Sequence, residues 1–79
     1  MVVYIKNGCP WCVEALQWLN DHRVAHQVVD VFAEPAGFDR MRAISGQSKA
    51  PTLEMPDGAV LADFDTAQLE KFLEGRSQK

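Results

Sequence analysis

No run of apolar residues in this sequence approaches the ~20 that a membrane-spanning helix requires. The opening stretch, MVVYI, is interrupted by Lys6 and is too short for the apolar core of a secretory leader. Neither export nor membrane insertion is therefore expected, and the reducing cytoplasm is the expected location. Cysteine is scarce as well. The chain has 2, Cys9 and Cys12, and a permanent disulfide framework is not expected in a reducing compartment. Excess basic charge is missing: 11 acidic against 8 basic residues give a net charge of −3, which argues against general binding to nucleic acid or anionic membranes. Internal repeats, low-complexity tracts and a linker between two cores are all absent. Residues 1–79 are read as one domain, near the lower size limit for a self-sufficient core. A composition of 47% hydrophobic and 24% charged residues argues against disorder.

What is present reads as alternating strands and helices. VVYI (residues 2–5) is a β-branched and aromatic run, nearly all apolar, as a buried strand should be. Pro10 fits the first position of a helix, where a missing N–H costs nothing. Beyond it, Cys12, Ala15, Leu16 and Leu19 fall at i, i+3, i+4 and i+7, which makes one buried stripe with Trp18 beside it. AHQVVDVF (25–32) reads as a second strand. Pro35 permits a second helix, in which Phe38, Met41 and Ile44 or Ser45 are helically spaced up to Gly46; Gly37 lies inside it. PTLEM (51–55) and AVLAD (59–63), joined by PDG, form a hairpin. In the last helix Asp65 is the cap with Gln68 three residues on, Leu69, Phe72 and Leu73 bury one face, and Gly75 is the expected stop. The predicted order is β-α-β-α-β-β-α. The first two strands are parallel and the last two antiparallel, in a four-stranded mixed sheet with helices on both faces.

The two cysteines, in KNGCPWC, lie at the start of the first helix. Unpaired backbone N–H groups and the positive end of the helix dipole point toward the Cys9 sulfur. Lys6, three residues upstream, can add a full positive charge. Both effects favour thiolate over thiol at Cys9. Cys12 falls on the buried stripe, without those donors, and should remain protonated until Cys9 has formed a mixed disulfide. Cys9 is thus the expected nucleophile and Cys12 the resolving thiol. The spacing Cys9-x2-Cys12-x9-His22-x3-His26 looks superficially like a zinc finger. Ten helical residues, however, put ~15 Å between Cys12 and His22, whereas tetrahedral ligands all lie within about 2.3 Å of one ion. No metal site is expected, and His22 and His26 are read as solvated residues.

YIKNGCPWC, SGQSKAPTLE and DFDTAQLEKFL together resemble a glutaredoxin over essentially the whole sequence. The resemblance implies a thioredoxin-like fold and thiol–disulfide exchange with glutathione as cosubstrate. The expected substrates are protein–glutathione mixed disulfides and disulfide-containing proteins, handled by a monomer that needs no tightly bound cofactor. Residue by residue, it implies that Lys6 meets glutathione's carboxylate and that Trp11 holds the aromatic place between the cysteines. Pro51 matches the family's cis-proline, although only ~5–6% of X–Pro bonds in folded proteins are cis. That bond would expose the N–H and C=O of Ala50 for pairing with glutathione's cysteinyl backbone, like an added strand.

The family's glycine pair before the last helix is replaced here by ADFD (62–65), so that Asp63 stands where a glycine is expected. Phe64 and Asp65 are expected to offer helix N-terminal amides to the γ-glutamyl end, with the Asp65 carboxylate available to its ammonium. The Asp63 carboxylate opposes glutathione's own carboxylate, and Lys49, in place of the commoner threonine, offsets it. PTLEMPDGAVLAD is also similar to the N-terminal domain of glutathione S-transferases, with Asp63 matching its acid and Phe64 replacing its serine. Two alternatives stay open. One is an electron donor to ribonucleotide reductase charged by thioredoxin reductase, to which ADFD is faintly similar. The other is a thioredoxin-fold module that binds glutathione, or an iron–sulfur cluster held through Cys9 and glutathione, without turnover.

Overall fold

A computed structural model describes residues 1–77. Its elements are β1 (Val2–Ile5), α1 (Pro10–Asp21), β2 (Gln27–Asp30), α2 (Pro35–Ser45), β3 (Thr52–Glu54), β4 (Val60–Ala62) and α3 (Thr66–Ser77). The predicted order holds throughout. The sheet runs β2-β1-β3-β4, with β1 parallel to β2 and antiparallel to β3, and β3 antiparallel to β4. This is the four-stranded mixed sheet of the thioredoxin-like α/β fold. Among the described residues, no helix is long and apolar enough to cross a bilayer.

The alternation of a pleated strand decides which helix goes where. Val3, paired with Leu53, faces α1 and α3 and joins Ala15, Leu19, Phe64 and Leu69 in the larger core. Tyr4 points the other way and packs with Val31 and Met41 beneath α2. Its hydroxyl donates to Glu54 Oε1 (2.7 Å), and Arg40 on α2 donates to Glu54 Oε2 (2.6 Å). These bonds tie β1, β3 and α2 together. The Arg40 guanidinium first, and the Tyr4 hydroxyl second, hold the Glu54 carboxyl below the usual carboxylate range.

Several boundaries need correction, and the hairpin strands β3 and β4 are each one residue shorter at both ends than the expected 51–55 and 59–63. The second strand covers only residues 27–30 of the expected 25–32. Its partner β1 has four residues to pair with, and Asp30 then turns the backbone. The Asp30 carbonyl accepts from Ala33 and Glu34, and its carboxylate accepts from the Phe32 N–H at 2.9 Å. Gly75 does not end α3, which continues to Ser77. The final turn is held from outside by Asp57 in the hairpin turn, to which Arg76 bonds, while within the helix Arg76 lies 5.5 Å from the Phe72 ring centroid. At the end of α2, by contrast, Gly46 does close the helix, at φ 70° in the left-handed region.

Gly37 in α2 has a packing reason that the sequence pattern does not show. A Cβ built there would lie 2.5 Å from Val29 Cγ1, so the helix meets β2 at a distance only glycine permits. Val29 is β-branched and stiff at χ1, and its methyl cannot swing aside cheaply. Gly37→Ala should therefore destabilise the protein by about 1 kcal/mol, overpacking outweighing the ~1 kcal/mol gain in helix propensity. Urea unfolding measures this. In a Val29→Ala background, which removes the opposing methyl, the same substitution should become neutral or stabilising.

Candidate active site

The β1–α1 loop delivers Cys9 to the N-cap of α1, with extended backbone (φ −88°, ψ 115°) and Pro10 directly inside the helix. The Cys9 N–H donates to the Lys6 carbonyl at 3.1 Å, fixing the loop that carries it. Its Sγ accepts the Cys12 N–H at 3.2 Å, in the place where a serine or aspartate oxygen usually caps a helix. The sulfur is half-buried, and it stands 4.0 Å from the Ala50 carbonyl oxygen on the α2–β3 loop. Cys12, one turn further on, is 1% exposed and sits with Ala15 and Leu19 on the buried face of α1. Burial first, and the hydrogen bond with the neighbouring Cys9 second, push the Cys12 thiol up to about 12. A disulfide arriving from solvent thus meets Cys9, with a protonated thiol behind it.

The other residues singled out in the sequence gather on two sides. The Ala50–Pro51 peptide is cis, and Pro51 is buried beneath the site. Trp11 is 58% exposed and forms one wall of a pocket of about 190 Å³ lined also by Asp63, Phe64, Asp65 and Gln68. Asp63 has φ 51°. Glycine enters that left-handed region freely, and aspartate is among the few other residues that tolerate it. Asp63 thus keeps a glycine-like backbone while adding a carboxylate. Phe64 turns its ring into the core, at 2% exposure.

Asp65 corrects an expectation. Its amide is not open to a ligand, because it donates to Gln68 Oε1 (3.0 Å) while Asp65 Oδ1 accepts the Gln68 N–H (2.8 Å). This reciprocal capping box satisfies two orphan donors of α3 internally. On the α2 side, the Lys6 ammonium lies 5.4 Å from the Phe38 ring centroid and 5.8 Å from that of Phe32. Arg42 lies over Phe38 as well, at 4.7 Å. Sequence reasoning misses this aromatic seat, since Phe32 and Lys6 come from different loops and Phe38 reads as helix core.

The residues of the zinc-finger-like spacing are dispersed. Cys9 and His22 cap opposite ends of α1. His22 stacks on Trp18 (centroids 3.8 Å apart), and its Nδ1 lies 2.8 Å from the Trp18 carbonyl oxygen. His26 Nδ1 lies 2.7 Å from the Val24 carbonyl oxygen. Among the described residues, no three histidines, cysteines or acids gather around a possible metal.

Cys9 thus stands at a helix N-cap, with a buried cysteine one turn on and a cis-proline opposite, and the family model for glutaredoxin matches residues 1–59. The protein belongs to the glutaredoxin family. A glutaredoxin-like 8.6 kDa protein from the rubredoxin operon of Clostridium pasteurianum is 28% identical over 72 residues, spanning 91% of this sequence and 95% of that protein. The crystal structure of the thioredoxin-like protein BC3987 is similar at 30% identity and a TM-score of 0.80, covering 89% of this glutaredoxin and 94% of that protein. A glutaredoxin from Archaeoglobus fulgidus shares the fold at 19% identity and a TM-score of 0.81, covering 94% of this sequence and 85% of that one.

The raised Cys12 thiol has a consequence for stability. Below ~8.5, the ordinary thiol value, folded and unfolded protein both hold the Cys12 proton. Between there and about 12 the unfolded protein has lost it and the folded protein keeps it, so folding opposes ionisation. The stability of the reduced protein should fall as pH rises past about 9, by up to ~1.4 kcal/mol per pH unit from this group. Denaturant unfolding across that range should show the component in wild type and lose it in Cys12→Ala.

Proposed function

We propose that this glutaredoxin-family protein is a glutathione-dependent thiol–disulfide oxidoreductase that reduces protein–glutathione mixed disulfides and, through its second cysteine, protein disulfides. The observation that carries this reading is the Cys12 N–H held on the Cys9 sulfur at 3.2 Å, with the Cys12 thiol buried and protonated behind it. A helix amide and the positive end of the helix dipole stabilise negative charge on an accessible sulfur.

In the first step the Cys9 thiolate attacks the glutathione sulfur of a mixed disulfide. The S–S bond breaks, the substrate thiolate leaves and takes a proton from solvent, and Cys9 is joined to glutathione. In the second step a glutathione thiolate attacks the glutathione sulfur of that intermediate, releasing glutathione disulfide and regenerating the Cys9 thiolate. Alternatively Cys12 gives up its proton and attacks Cys9, releasing reduced glutathione and leaving a Cys9–Cys12 disulfide. Each route passes two electrons and needs no metal or organic cofactor. Burial is the largest cause that raises the Cys12 thiol, and the neighbouring Cys9 adds to it through a hydrogen bond and its charge. Forming the mixed disulfide removes the charge and leaves the burial.

A second reading concerns only the reductant. The occupied Asp65 amide removes one donor from the Trp11 pocket, and the Asp63 carboxylate adds a negative charge that opposes a γ-glutamyl carboxylate. That favours a protein reductant such as thioredoxin reductase. NADPH oxidation, measured separately with glutathione plus glutathione reductase and with thioredoxin reductase, tests both readings. Turnover of a glutathionylated peptide in the first system supports the glutathione route; turnover only in the second overturns it in favour of the protein reductant.

Two further outcomes follow from the assigned roles. Cys9→Ser should abolish exchange, whereas Cys12→Ser should retain turnover of glutathione mixed disulfides and lose reduction of protein disulfides. In the folded, reduced protein, iodoacetamide at neutral pH should modify Cys9 and leave Cys12 untouched, as peptide mass mapping would show.

A further inference from the structure

The loop from Gly46 to Pro51 brings the Ala50 carbonyl to the nucleophile, and side chains hold much of it in place. Gln47 stands at its centre. Its Oε1 accepts the Lys49 N–H. Its Nε2 lies 3.1 Å from the Lys49 carbonyl oxygen, 3.0 Å from Ser45 Oγ and 3.2 Å from Thr52 Oγ1. The orientation of the amide is dictated by Lys49, because a backbone N–H can only donate and a backbone carbonyl can only accept. The neighbours of Gln47 are themselves anchored. Ser45 Oγ donates to the Met41 carbonyl at 2.6 Å on the last turn of α2. Thr52, fully buried, donates to the Lys49 carbonyl at 2.9 Å and is paired in the sheet with Tyr4 and Ala62. Lys49 is thus gripped from both sides immediately before Ala50, and Ala50 faces Cys9 Sγ at 4.0 Å.

We propose that Gln47 is a positioning residue for the exchange reaction: by clamping both backbone groups of Lys49 it fixes the Ala50 backbone as a docking edge beside Cys9, along which the substrate's own backbone aligns its disulfide with the sulfur. Gln47 touches neither Cys9 nor the incoming disulfide in this scheme; it acts through Lys49 and Ala50. The inference rests on the glutathione-linked exchange proposed above. It also adds a requirement: docking at this edge serves substrates that carry peptide bonds and is irrelevant to reagents without them.

That difference supplies the test. Wild type, Gln47→Leu and Gln47→Glu are compared in three reactions: glutathione-coupled turnover of a glutathionylated peptide, single-turnover reduction of bis(2-hydroxyethyl) disulfide without glutathione, and iodoacetamide alkylation of Cys9. For Gln47→Leu, KM for the peptide should rise about tenfold with kcat little changed, as expected when a docking contact and not a reacting group is lost. The two reactions that need no backbone docking should stay within about twofold of wild type. Gln47→Glu, which can still accept the Lys49 N–H but opposes its carbonyl, should fall between the two. A peptide KM unchanged in Gln47→Leu overturns the inference, and so does a parallel loss in all three reactions, which would mark a general structural role. Wild-type protein that reduces bis(2-hydroxyethyl) disulfide but ignores the glutathionylated peptide would refute the glutathione reading before any variant is compared, and the inference with it.

Discussion

The hydrogen bond from the Cys12 amide to the Cys9 sulfur organises the site, and much of the molecule serves to hold it. A cysteine at an N-cap has extended backbone while the next residue is already helical. Pro10 suits that junction, since its fixed φ is right for a first helical turn and it has no N–H to leave unpaired. The helix must also present its N-terminus to solvent while burying the face that includes Cys12. The buried stripe Cys12, Ala15 and Leu19 does this, Ala15 and Leu19 packing in one core with Val3, Leu53 and Leu69. One sulfur is therefore reachable and the other is not. The difference in exposure between two chemically identical side chains comes from three residues of helical rise.

The second half of the site comes from far away in sequence. Ala50 reaches Cys9 because β3 lies next to β1 in the sheet, and the register Tyr4–Thr52 sets how far along the strand the preceding loop arrives. The linked side chains of Tyr4, Glu54 and Arg40 fasten that register on the α2 side, and the Gln47 network fastens the loop itself. The two meet at Thr52, which pairs with Tyr4 in the sheet and bonds to Gln47 and Lys49 in the loop.

Much of this was legible in the sequence because it is local. Val2–Ile5, the Pro10 start of α1, the Asp65–Gln68 box and the Pro56–Gly58 turn are short-range patterns, and they determine the element order and hence the sheet. The places of Cys9 at the N-cap and Cys12 on the buried face follow from the helix start and the stripe periodicity. What stayed hidden depends on distant partners. β2 is shorter than its apolar run because β1 is short. α3 passes through Gly75 because Arg76 reaches Asp57 in the hairpin turn. Gly37 reads as a weak helix residue until Val29 is seen against it. Gln47 gives no signal at all, since its partners Ser45, Lys49 and Thr52 converge only after the loop has folded. The Asp65 amide shows a further ambiguity: the same capping motif that marks a helix start also consumes the donor that a ligand would have used.

Asp63 lies in the left-handed region at the rim of the Trp11 pocket. Glycine and aspartate are both at home there, and their codons differ by a single base. One nucleotide change can thus add or remove a negative charge at the rim of that pocket while the loop keeps its path. In this scaffold the charge at the pocket rim is separable from its shape, because one left-handed backbone position accepts a residue with a carboxylate and a residue without one.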